Sequence, residues 1–127
     1  MTKKTIYILI FVLILGGVAT LEILYTKNVI DTVRASTIKM EELFSSSDYE
    51  AIHEEAIELE KYWMEHEHVL CLIYNHNDIK NVVLEINQIK SYCEKLNEEE
   101  IIAHINLLDI NLELVTHTIQ FNLENVI

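Results

Sequence analysis

Hydrophobic and polar positions alternate along this chain in two ways. From Thr5 to Leu21 there is no charged residue, and Lys3 and Lys4 stand just before the run. Seventeen residues at ~1.5 Å per residue span about 26 Å, just short of a hydrocarbon core of about 30 Å. Helix continuing through Ile23, Leu24 and Tyr25 closes the gap, with Glu22 reaching back to the polar layer. Tyr7 and Tyr25 then stand near the two interfaces, where amphipathic rings are favoured.

Beyond the run, apolar residues recur at steps of three and four, the signature of helices with one buried face. The first such segment, about Leu21 to Phe44, carries Leu21, Tyr25, Val29, Val33, Met40 and Leu43 on or near one side, and "SSSD" at 45–48 interrupts it. The second runs from Asp48 to about His66 on Tyr49, Ile52, Ala56, Leu59 and Trp63. The third, about Val69 to Leu96, carries Leu72, His76, Ile79, Val83, Ile86 and Cys93, and its phase places the preceding corner at 65–68 in preference to 75–78. The fourth opens at Asn97, a good N-cap with Glu100 at the capping-box position, and follows Ile101, Ile105, Leu108, Leu112, Val115 and Ile119.

Composition narrows the fold class. Proline is absent and the two glycines are adjacent, Gly16 and Gly17, so the tight turns of a sheet have no residues to build them. The chain is expected to be all-α: an N-terminal transmembrane helix followed by an antiparallel, three- to four-helix, up-down bundle. The division is residues 1–4 as a cytoplasmic N-terminus, 5–25 as a transmembrane signal anchor and 26–127 as an extracytoplasmic bundle. The lysines ahead of the run place the N-terminus in the cytoplasm of a single-pass protein of the cell membrane. Cleavage of a signal peptide after Ala19 is the competing reading, because Val18 is flanked by Gly17 and Ala19; the length of the run favours retention.

Net charge is −12. Without Lys3 and Lys4 the remainder holds 7 basic and 21 acidic residues, about −14, a surface that repels nucleic acid and anionic head groups. Nucleic acid is therefore excluded as a partner.

Histidines and cysteines are the residues here with metal-binding or catalytic chemistry. "HEHVL" from His66 and "HEEAI" from His53 both lack the second histidine of a helical zinc motif, so no metal ligands are assigned. Asp109, Glu113 and His117 form an i, i+4, i+8 row that reads as an exposed ladder. Cys71 and Cys93 read as free thiols, since on one continuous helix they stand ~33 Å apart. His76 falls in the stripe of the third segment and reads as a core imidazole, or as a group whose charging alters the seam. Trp63 reads as a core anchor or a partner contact. No nucleophile elbow and no phosphate-binding glycine loop occurs, so no enzymatic activity, catalytic residue or cofactor is expected.

The Lys-flanked anchor, Trp63, the segment "LCLIYNHNDI" with His76 and Asp78, and the tail "ENVI" together resemble a family of small membrane-anchored bacterial proteins, a domain of unknown function common in clostridia-like Firmicutes. The resemblance spans nearly the whole chain. It implies an accessory role beside a multi-spanning membrane protein and supplies no catalytic residues. The resulting expectation is a non-enzymatic bundle that serves as an interaction subunit of another membrane or envelope protein. Trp63, His76 and Asp78 form its candidate partner or sensing surface. An integral membrane protein is the expected partner, a homo-oligomer is compatible with the pattern, and a sensing or small-ligand-binding bundle is the alternative.

Overall fold

The computed structural model describes the backbone of residues 2–126 and the side chains of residues 2–117. Four helices follow one another: α1 (Lys3–Ser45), α2 (Tyr49–Ile73), α3 (His76–Glu94) and α4 (Glu98–Val126). α1 packs on α2 and α4, and α3 packs on the same two, so α1 and α3 stand on one diagonal of an up-down four-helix bundle. No strand occurs among the described residues.

α1 is 43 residues long, about 65 Å at 1.5 Å per residue. Its two halves meet different surroundings. Residues 3–22 are exposed throughout, whereas Thr26, Val29, Ile30, Val33, Thr37 and Met40 are buried. Of the expected stripe, Val29, Val33 and Met40 enter the core, Tyr25 and Leu43 pack on its edge, and Leu21 is left outside. The buried threonines need no outside partner. Thr26 Oγ1 donates to Glu22 O at 2.8 Å, and Thr37 Oγ1 to Val33 O at 3.0 Å. Gly16 and Gly17 lie within the helix, with open space where a side chain would stand. The end of the bundle from which residues 3–22 emerge is called the near end.

The two far-end corners are built alike. Ser47 (φ 56°) and Leu96 (φ 53°) take the left-handed conformation. Around the first, Asp48 N–H bonds Leu43 O and Ser47 N–H bonds Phe44 O, both at 3.0 Å; around the second, Asn97 N–H bonds Tyr92 O at 3.1 Å and Leu96 N–H bonds Cys93 O at 3.2 Å. These are Schellman closures made without glycine. Each is followed at once by the next cap: Asp48 Oδ1 accepts from Ala51 N–H at 3.2 Å, and Asn97 Oδ1 from Glu100 N–H at 3.3 Å. The capping role of Asn97 is as expected, while the Glu100 carboxylate turns toward His104 instead of back to the cap.

The near-end corner corrects the expectation. The chain turns at Tyr74–Asn75, not at 65–68. The stripe of α2 does not fail after Trp63; it continues by steps of four and three to Glu67 and Leu70, both buried. A carboxylate at a core position hides that continuity in the sequence, and Lys80 of α3 makes it tolerable by pairing with Glu67 Oε1. Asn75 then caps α3, accepting from Asn77 N–H at 2.9 Å. The buried face of α3 is accordingly Ile79, Val82, Ile86, Ile89 and Cys93, with Val83 at its edge and Leu72 and His76 exposed. On α4, Ile101, Ile105, Leu108, Leu112 and Val115 are buried as expected; Ile119 lies outside the described side chains.

Candidate functional site

Trp63, His76 and Asp78 all lie toward the near end, in different environments. Trp63 is fully buried, and its Nε1 donates to Ile79 O at 3.3 Å, tying α2 to the first turn of α3. It is a core anchor and presents no surface to a partner. His76 is the first residue of α3 and exposed, which corrects its placement in the seam: once Asn75 caps the helix, the core phase starts at Ile79. Asp78 is half-buried in the first turn of α3, where a carboxylate suits the positive end of the helix.

Beside them is an open hollow of about 210 Å³ lined by Met64, Glu67, His68, Cys71, His76 and Lys80. His66 and His68, expected in a turn, lie within α2 and face different neighbours. His68 borders this hollow. His66 Nδ1 meets the Tyr25 hydroxyl at 2.5 Å and its ring packs on Tyr62, with centroids 4.6 Å apart. Across the hollow, the Glu67 carboxylate pushes the Lys80 ammonium above its ordinary range. Burial pushes the Cys71 thiol up and Glu67 adds to this, against a smaller opposing effect of Lys80. A thiol held in that direction is a poor nucleophile.

At the near-end corner itself, burial pushes the Tyr74 phenol up, Thr26 lies within hydrogen-bonding reach of its hydroxyl, and the Glu22 carboxylate faces it. This contact joins the α2–α3 corner to α1 where the apolar half begins.

Polar contacts along the seams account for groups that sequence reasoning passed over. His104 on α4 stacks on Tyr92 of α3 (5.2 Å, 14°), with Nδ1 2.5 Å from Glu85 and Nε2 3.4 Å from Glu100. Only the Glu100–His104 spacing of four was visible in the sequence. Lys90 meets Glu60 at 2.5 Å, and Lys39 with Ser36 clamps Glu55 at 2.8 and 2.7 Å. Burial pulls the Glu55 carboxyl upward, but those two hydrogen bonds outweigh it and hold it below the usual carboxylate range.

Cys71 and Cys93 are free, on α2 and α3 and not on one continuous helix. Cys71 is beside the near corner, whereas Cys93 lies seventeen residues beyond His76, about 26 Å along α3. Burial pushes the Cys93 thiol up to about 11, with Glu94 adding to it. Among the described residues no group of three or more His, Cys, Asp or Glu side chains is placed to hold a metal ion. Glu113 and His117 are exposed on α4 and Asp109 is half-buried.

A family model described as a domain of unknown function (DUF4363) matches residues 20–126. The match takes in the bundle and leaves out most of the exposed apolar half of α1. No curated protein and no solved structure matches the chain.

Proposed function

We propose that this chain, which belongs to the DUF4363 family of unknown function, is a single-pass bundle of the cell membrane that acts as an accessory subunit of another membrane or envelope protein. One observation carries the reading: α1 is a single helix whose first half is apolar and uncovered while its second half is a structural member of the bundle. Residues 3–22 bury nothing inside the chain, so an apolar environment has to be supplied from outside. Continuity of the helix ties whatever the bundle contacts to that environment. N-terminal lysines orient the bundle outward.

Native mass spectrometry on the full-length protein, extracted gently from its own membranes, tests this. A stoichiometric complex of the intact chain with an integral membrane protein is expected. An uncomplexed chain beginning at Thr20 would overturn both anchor and accessory role.

A sensing bundle is the second reading. It is favoured by the histidines that bridge helices: His66 to α1, His53 to Glu94 of α3 at 3.1 Å, and His104 to Glu85. A change in helix packing on ligand addition to the uncomplexed chain would favour it over the first.

A further inference from the structure

We infer that the α2–α3 corner is a second membrane contact, an apolar foot that dips into the bilayer beside the anchor. The inference builds on the anchored reading of α1 and adds a surface to it.

Leu72 on the last turn of α2 is 76% exposed, more than any large apolar side chain of the run itself, where Tyr7 reaches 69%. Val69, one turn earlier, is 40% exposed. Neither belongs to the buried stripe of α2, and their exposure has no explanation within the chain.

Their height relative to α1 follows from the contact of Tyr25 with His66, eight residues before Tyr74 on α2. Helix running from Thr5 needs about twenty residues to cross ~30 Å of hydrocarbon, which ends at Tyr25. Thr26, with the Tyr74 hydroxyl that reaches it, is then level with the boundary between acyl chains and head groups, while the corner backbone, eight residues beyond the His66 that meets Tyr25, lies about 12 Å further toward the N-terminus of α1, beside the apolar run. A tyrosine at that depth has its favoured surroundings.

Charge follows the same line. Residues 68–77, "HVLCLIYNHN", contain no Asp, Glu, Lys or Arg, and neither do residues 114–117 of α4, the last whose side chains are described. At the far end, residues 41–50 and 94–100 hold eight acids against one lysine. Of the charged groups at this end, Glu22 of α1 faces the Tyr74 phenol, Asp78 stands in the first turn of α3, and Lys80 is engaged with Glu67. Acid is thus densest at the end away from the bilayer, and the uncharged stretch 68–77 is the part of the near end that faces it.

Tryptophan placed at three heights tests the foot, with the full-length chain reconstituted in phosphatidylcholine vesicles whose acyl chains carry bromine close to the head group. Ile10→Trp reports the anchor, Leu72→Trp the corner, and Ile38→Trp an exposed site on α1 about 24 Å beyond Glu22. Trp63 contributes the same buried background to all three. The foot predicts a blue shift and loss of emission for Ile10→Trp and Leu72→Trp, with Ile38→Trp unquenched. Quenching of Ile10→Trp without quenching of Leu72→Trp overturns the foot and leaves the anchor standing. A blue shift of Leu72→Trp that bromine does not quench, and that grows with the protein-to-lipid ratio, also overturns it: a second copy then covers the corner. If Ile10→Trp stays unquenched, the anchor fails and the foot with it.

Discussion

The far and near ends of this bundle reverse the chain by different means. At the far end two Schellman closures force Ser47 and Leu96 into the left-handed region, within segments crowded with carboxylates. At the near end one extended corner, Tyr74–Asn75, has no strained residue and no charge. The far end is made for water: its acids sit in the first turns of α2 and α4 and favour the helix dipoles. The near end buys its stability from an indole and one ion pair, and leaves apolar surface where α1 leaves the bundle. On the anchored reading, ends of one bundle under the same packing rules differ this much because one meets water and the other the membrane.

The largest test of that comparison is the near-end anchor. Trp63→Ala should lower stability by about 3–5 kcal/mol, the range for emptying a large aromatic site in a packed core. Denaturant unfolding of the full-length protein in detergent measures it. A loss below ~1 kcal/mol would mean that the indole does not hold α2 to α3.

Next comes the far end at alkaline pH. The Cys93 thiol rises from 9.0 in the unfolded chain to about 11 in the fold. A raised value means that the contribution is whole below pH 9 and is lost as pH climbs toward 11, because the unfolded chain ionises first. The loss amounts to at most roughly 3 kcal/mol from a shift of that size. Cys93→Ala should remove this part of the pH dependence. Parallel pH profiles for parent and variant would reject the assignment.

A smaller effect is expected where the near end carries its buried charge. Glu67→Leu completes the apolar stripe of α2 and releases Lys80 to solvent, so stability should rise by about 1 kcal/mol or more. A fall in the unfolding midpoint would show that the pair contributes more than the leucine that replaces it.

The smallest and most direct comparison sets corner against corner. Leu96→Gly relieves a left-handed side chain and should stabilise by about 0.5–1 kcal/mol. Asn75→Ala removes a cap and should destabilise by about 1 kcal/mol. Equal signs for the two would erase the distinction between the ends.

Much of this was legible beforehand. Absence of proline, the adjacency of the only two glycines and the recurrence of apolar residues at three and four led to an all-helical bundle. Asp48 and Asn97 marked two helix starts, because a side-chain acceptor at an N-cap acts on its own neighbours. The third start was missed because Glu67 occupies a core position. A pattern read by hydrophobicity stops at a carboxylate, and only the approach of Lys80 from another helix makes that position habitable. Moving the corner from 65–68 to 74–75 then moved His76 out of the seam and placed the cysteines on separate helices. His104 followed the same logic, since its Glu85 and Tyr92 partners lie on α3.

By itself, then, the sequence determined what depends on near neighbours along the chain: helix type, two of the three corners, the apolar run and the overall acidity. Tertiary structure decided which faces meet, where the buried charge is paired, and that an uncharged corner comes to stand beside the exit of the apolar helix. Those outcomes rest on contacts between residues tens of positions apart, such as Thr26 with Tyr74 or Glu67 with Lys80. No local period encodes such contacts, because their free energy exists only once the helices are packed.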